Sequence, residues 1–294
     1  MKLLIFGDVF GKLGRAGVKR MLPIWREKFS PDVVIANIEN ISHGKGIGIK
    51  QIDELREAGV NIFTGGNHSV EGKDFAAVLN DKNIPVTRPA NMRDDLPGRG
   101  VVLYDVKSAS EQKSDFPRKS DFEESVDVKL LVINLIGQVF MKQEYANPFQ
   151  MIDKILSEHA RKTPYIILDW HADASSEKNA MGWYLDGKVS LVYGTHSHVP
   201  TADARILPKG TAYISDIGMT GPHPSIIGAE IEPAFKRFRD QIKTSINPVE
   251  DGPIEVNAIY VELDDFARAS SARASVAKPV EIRHLREIVQ EYTI

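Results

Sequence analysis

Short apolar runs punctuate the chain, and each stops at polar or turn-forming residues. They cover 3–6, 33–38, 61–64, 129–135, 165–168, 189–193, 211–214 and 256–263. Runs of about four to eight apolar and β-branched residues between turn signals read as buried strands. Among the early runs lie amphipathic segments with helical spacing, and the helix-like segments cover 14–29, 50–58, 72–79, 150–161 and 233–244. Strand alternating with helix points to a layered α/β core. The later strands follow one another with fewer helices between them. The expectation is therefore an α/β fold: two sheets packed together with helices outside, a four-layer α/β/β/α sandwich. A chain of 294 residues is long enough for one large domain or two small ones. One domain over 1–294 is the expectation here. Two stretches depart from the pattern. Residues 107–127, KSASEQKSDFPRKSDFEESVD, are rich in charge and serine and read as a polar insertion, either a solvated hairpin or a disordered segment. Residues 270–276 read as an exposed loop.

Composition removes several function classes. The net charge is −3, so no global basic field draws the chain to nucleic acid or to an anionic membrane. The first apolar run is too short for the core of a signal peptide. No stretch approaches the ~20 apolar residues of a membrane span. A soluble, cytoplasmic protein is expected. There is no cysteine, which excludes disulfides and thiolate ligands, so any metal must sit on nitrogen and oxygen.

The polar residues at the strand ends carry the chemistry. The first strand ends in Gly7-Asp8 and the second in Glu39-Asn40. The third runs into Gly65-Gly66-Asn67-His68, the strand at 165–168 leads to His171, and the next leads to Gly194-Thr195-His196-Ser197-His198. Ligands of open α/β sheets gather beyond the carboxyl ends of the strands, where residues distant in sequence converge. Carboxylate, amide and imidazole donors together suit Fe, Mn, Zn, Ni or Co. The set has enough donors for two ions, with Glu39 placed to bridge them. Two ions about 3.5–4 Å apart activate a water for attack on phosphorus. If His196 and His198 lie on a strand, both imidazoles face the same side. Taken singly, each piece has an ordinary reading: Asp8 as a turn residue, Asn40 as a cap, His196 and His198 as surface or core histidines.

These motifs, in this order, resemble the calcineurin-like metallophosphoesterase superfamily, and more narrowly the bacterial YmdB family. The stretches RPAN (88–91), HADASSEK (171–178), GTHSHV (194–199) and ILPKGTAYISDIGMTGP (206–222) also resemble that family. The resemblance implies a metallophosphoesterase-like fold and two divalent or trivalent ions, Fe or Mn foremost and Zn allowed. Asp8, Glu39, Asn40 and His198 would hold the first ion; Glu39, Asn67, His171 and His196 the second. It implies hydrolysis of a phosphodiester, with 2′,3′-cyclic nucleotides as the substrate class. A hydroxide bridging the metals would attack, and His68 would protonate the leaving oxygen. Two positions depart from the wider superfamily. Phe10 stands where its first motif has a histidine, and Glu39-Asn40 stands where its second motif has an aspartate; the YmdB family shares both changes.

Other residues are candidates for supporting roles. Asp169 or Asp173 would orient a histidine ligand. His43, Arg88 and Asn91 are candidates for substrate contacts, against plain loop or salt-bridge roles. Thr220, Gly221 and His223 read as a loop edging the pocket. His159 and His284 read as surface residues of helix-like segments. Four alternatives stand beside the phosphodiesterase. An amidohydrolase would carry His-x-His on its first strand, whereas here it comes late. A P-loop needs four residues between its glycines and Ser or Thr after its lysine, which GDVFGKLG lacks. A metal-holding regulatory protein with little turnover is compatible with the same ligands, as is a phosphoesterase acting on other esters. No basic stripe or aromatic platform in the sequence predicts long RNA as a partner. A homo-oligomer is allowed by the sequence.

Overall fold

The computed structural model describes residues 1–106, 128–245, 247–264 and 276–290. The 107–127 insertion, and residues 270–275 of the expected loop, lie outside the described residues. The chain opens with β1 (Lys2–Val9), α1 (Gly11–Phe29), β2 (Val33–Asn37), α2 (Ile49–Glu57), β3 (Ile62–Thr64) and α3 (Phe75–Asn80). It continues with β4 (Val101–Val106), β5 (Val128–Ile136), α4 (Pro148–His159), β6 (Tyr165–His171), α5 (Ser175–Leu185) and β7 (Leu191–Thr195). The last part holds β8 (Arg205–Ile206), β9 (Ala212–Ile214), β10 (Met219–Pro222), α6 (Ile231–Arg239), β11 (Ile254–Leu263) and β12 (Pro279–Val289).

Two mixed sheets form. The first runs β12-β11-β10-β1-β2-β3, with β11 also pairing β1, and the second runs β4-β5-β6-β7-β9-β8. Strand β1 shows why they stack. Leu4 and Phe6 face a core shared with Leu22 and Trp25 of α1 and Leu55 of α2. Leu3 and Ile5 point the opposite way, into a core shared with Leu130, Ile167 and Leu191 of the second sheet. Alternation along a strand supplies both faces, and apolar residues at every position bury both. The outer face of the second sheet, with Leu131, Ile133 and Leu168, packs on Ile152 and Ile155 of α4 and Met181 and Leu185 of α5. The result is the expected α/β/β/α sandwich.

One irregularity positions the site. Pairing of β1 with β2 slips between Phe6 and Asp8, so that Phe6 lies opposite Ala36 while Asp8 lies opposite Asn37. Gly7 is the extra residue, and a Cβ there would meet the Gly218 carbonyl oxygen at 1.8 Å. A one-residue slip moves every later side chain to the other face. Asp8 therefore leaves the side of Leu4 and Phe6 and joins Ile35 and Asn37, between the sheets. There Asn37 Nδ2 donates across the gap to Asp169 Oδ2 at 3.1 Å.

The structure corrects several expectations. β7 ends at Thr195, so His196 and His198 are not on a strand; both follow it with positive φ, 100° and 66°. They converge because the loop bends, not because side chains alternate. His284 lies in strand β12, half-buried, with Nε2 2.9 Å from the Ile217 carbonyl oxygen. Thr220 and Gly221 belong to strand β10, and His223 just beyond it faces Glu255 at 3.3 Å. His159 ends α4 and is half-buried beside Glu158. Helix α5 was not among the segments expected from sequence.

Candidate metal centre

The site gathers at the carboxyl ends of β1, β2, β3, β6 and β7. Glu39, His171 and His196 each bring a donor atom within 4.8 Å of the others, and so do Asp8, Glu39 and His198. Glu39 belongs to both groups. Around His171 Nε2 the donors crowd: Asn67 Oδ1 at 2.9 Å, His196 Nδ1 at 3.0 Å and Glu39 Oε2 at 3.3 Å. On the other side His198 Nε2 lies 3.3 Å from Asn40 Oδ1. All the residues expected to hold metal are thus brought together.

Glycine makes the crowding sterically feasible. A Cβ on Gly66 would sit 2.2 Å from Glu39 Oε2 and 2.4 Å from His171 Nε2. With hydrogen in its place, the backbone before Asn67 passes close beneath both ligands. The same turn lets the His68 N–H donate to Glu39 Oε2 at 3.0 Å.

The surroundings fix the candidate ligands. His171 Nδ1 lies 2.9 Å from Thr195 Oγ1, which donates at 2.7 Å to Asp169 Oδ1. The Thr64 hydroxyl and Asn37 Nδ2 donate to the other Asp169 oxygen. With the threonine hydroxyl given to Asp169, its lone pairs accept from His171 Nδ1–H. That leaves the Nε2 lone pair aimed into the cluster. Of the two aspartates expected to orient a histidine, Asp169 reaches His171 through Thr195. Asp173 Oδ2 stands 3.8 Å from His196 Nε2. The His196 N–H donates to Asp8 Oδ2 at 3.2 Å. A buried ion pair holds the histidine loop: Lys178 of α5, 3% exposed, meets Asp216. Lys178 Nζ also donates to Thr195 O at 2.7 Å, and the Ser197 N–H donates to Asp216 at 3.1 Å. Sequence reasoning missed this pair, although both residues fall inside the quoted stretches.

Electrostatics divides the candidate ligands. Burial pushes Asp8 up, against the pull of His198 and His171. Burial also works to raise Glu39, yet His171 and His68 outweigh it and bring its carboxyl down to about 2. Burial opposes charge on His171, but Glu39, Asp8 and Asp169 outweigh it and raise its pKa. Burial and the neighbouring His171 hold His196 down to about 3, so its ring is neutral with a lone pair to give.

These features fit metal ions. Asp8 Oδ1 is buried without a hydrogen-bond partner. A buried carboxylate oxygen left unpaired is costly. Lone pairs of several donors face one point, an arrangement that a cation relieves. The donors are all nitrogen and oxygen, a set suited to the transition metals expected from sequence.

The cluster floors a cleft of about 810 Å³, whose lining includes Phe10, Glu39, Asn40, His68, His196 and His198. His68 projects there, its Nδ1 held 2.8 Å from Glu71 Oε1. His43 is exposed at the rim, where φ is 51°. Arg88 and Asn91 do not join the cleft lining. The Arg88 guanidinium donates to the carbonyls of Pro89, Arg93, Leu96 and Pro97. Asn91 Nδ2 donates to Ile136 O and Ala146 O. Both tie loops together, which corrects their expected role as substrate contacts. The far wall, missed in the sequence, comes from 226–229, α6 and 247–248.

The family model described as "YmdB-like protein" matches residues 4–274. The chain belongs to the YmdB-like family. A relative, the 2′,3′-cyclic-nucleotide 2′-phosphodiesterase of Bacillus subtilis (strain 168), is 40% identical over 90% of this chain and 92% of its own. A putative phosphatase/phosphodiesterase of Mycoplasma pneumoniae is 35% identical over 90% of this chain and 88% of its own. Among solved structures, a novel phosphatase from Mycoplasma pneumoniae superposes with TM-score 0.82 at 32% identity, covering 100% of this chain and 95% of that one. A Haemophilus influenzae NAD nucleotidase shares the fold alone, with TM-score 0.53 and 14% identity over 99% of this chain and 56% of that one.

Proposed function

We propose that this YmdB-like protein is a metal-dependent phosphodiesterase acting on 2′,3′-cyclic nucleotides. The observation that carries the reading is a pair of donor groups sharing Glu39 at the floor of a cleft, beneath His68. The relative from Bacillus subtilis gives the substrate class. Asp8, Glu39, Asn40 and His198 would hold one ion, and Glu39, Asn67, His171 and His196 the other. When bound, the ions would neutralise phosphoryl charge and lower the pKa of water. Fe or Mn suits these donors best and Zn is allowed.

The chain's own residues do the rest. Asp169 and Thr195 keep His171 in one tautomer. The Lys178–Asp216 pair holds the loop that carries His196 and His198. His68, oriented by Glu71, donates a proton to the departing ribose oxygen, so that the leaving group departs as an alcohol.

The deciding experiment measures hydrolysis of 2′,3′-cyclic AMP with and without added Mn²⁺, beside Asp8→Asn. Turnover that needs the ion and falls to background in the variant supports the reading. A wild-type protein that binds two ions and hydrolyses no cyclic nucleotide overturns it.

A further inference from the structure

The cleft is larger than a phosphate needs. Its volume of about 810 Å³ falls in the range of sites that hold a whole small ligand, roughly 300–1,000 Å³. The wall facing the metal cluster is also unlike its floor. Phe238 of α6 lines the cleft although 73% exposed, and Ile227 does so at 54%. Two cations, Arg237 and Lys45, line the same space, and among the described residues neither side chain has an ion-pair or hydrogen-bond partner. An exposed aromatic ring beside cations with no side-chain partner, at the mouth of a candidate metal centre, has the make-up of a nucleotide site. Bases stack on such rings without regard to sequence, because every base has a π-face.

We propose that Phe238 is the base platform of this site. The phosphoester end lies on the metal cluster, and the nucleobase of the same nucleotide lies against Phe238, flanked by Ile227. Arg237 and Lys45 offset the charge of the phosphodiester on its way in. The inference deepens the phosphodiesterase reading by saying which part of the substrate the α6 wall selects. It also makes a specific claim about a surface ring: Phe238 distinguishes ligands that carry a base from those that do not. The fold has little need of this side chain, because so much of it is exposed.

Binding and turnover separate the two ideas. Adenosine 3′-monophosphate and ribose 3-phosphate are titrated by calorimetry into Mn²⁺-loaded protein, wild type and Phe238→Ala. Hydrolysis of 2′,3′-cyclic AMP is measured alongside. The expected result is that the nucleotide binds about tenfold to a hundredfold more tightly than the baseless phosphate, the range of one stacked base. Phe238→Ala erases that preference and leaves ribose 3-phosphate unchanged, while Phe238→Trp keeps it. Equal affinity of the wild type for both ligands, or equal weakening of both by Phe238→Ala, overturns the platform. If the base preference fails while cyclic AMP is still hydrolysed, the platform falls and the phosphodiesterase reading stands. If the preference is present without turnover, the platform stands and the enzymatic reading falls.

Discussion

The two walls of the cleft are built by opposite rules. The floor consists of side chains at strand ends, buried and held by partners on both sheets: Asp8, Glu39 and His171 have almost no solvent exposure. The opposite wall is a surface helix and two loop segments, with Ile227 54%, Phe235 50% and Phe238 73% exposed. Chemistry needs atoms fixed to within fractions of an ångström, and strand ends braced by buried hydrogen bonds supply that. Recognition of a substituent tolerates a looser frame, and a surface helix can change its residues without disturbing the core. The floor therefore sits in the buried framework of the fold together with the candidate metal site, and the wall lies largely at the surface.

That contrast can be broken by experiment. The largest effect is expected where the cleft meets its reacting group. His68→Ala should retain metal and lower turnover by about 10²–10⁴-fold, the usual worth of a general acid. Wild-type turnover of a poor leaving group by the variant would remove His68 from the reaction. On the floor, Lys178→Ala leaves Asp216 buried and unpaired, so about 3–5 kcal/mol of stability should be lost. Urea unfolding measures it, and a loss below about 1 kcal/mol would mean that the loop is not braced by this pair.

A pH test follows in size. Burial raises Asp169 from 3.8 to about 6. The folded protein therefore holds this proton where the unfolded chain has already released it. The associated stability is full below about pH 4 and is lost as pH rises through 6, roughly 3 kcal/mol in all. Urea midpoints of chelator-treated protein between pH 4 and 6.5 should fall more steeply for wild type than for Asp169→Asn. Parallel curves would show that Asp169 does not titrate there. The smallest effect belongs to the wall: Phe235→Ser should change stability by no more than about 0.5 kcal/mol, as exposed substitutions do. A larger loss would show that α6 is packed in solution and erase the contrast.

The floor was also the part that could be read in the sequence. Apolar runs marked most of its strands, and polar residues at their ends marked the candidate ligands, because both depend on local order along the chain. Elements without that signature escaped. β12 reads PVEIRHLREIV, and as an edge strand it carries charge on positions that an inner strand would fill with apolar groups. Its spacing mimics a helix, which misplaced His284. α5 buries Lys178 and Gly182 beside Met181, so no clean apolar stripe announces it. Arg88 looked like an anion ligand because sequence shows a cation but not the carbonyls it satisfies. The α6 wall left no motif at all, since nothing in a single surface phenylalanine says what it will face.

The slipped register at Gly7 has a consequence for how this centre tolerates change. Asp8 faces the metal cluster through a count of residues as well as through its own identity. Straightening β1 with Gly7 kept in the ladder would retain every residue of the cluster in the sequence, yet it would put Asp8 back on the side of Leu4 and Phe6 and turn the carboxylate toward the helix layer. A relative of the same length whose first strand runs without the bulge would thus retain the whole motif set and still turn the first carboxylate away from the cluster.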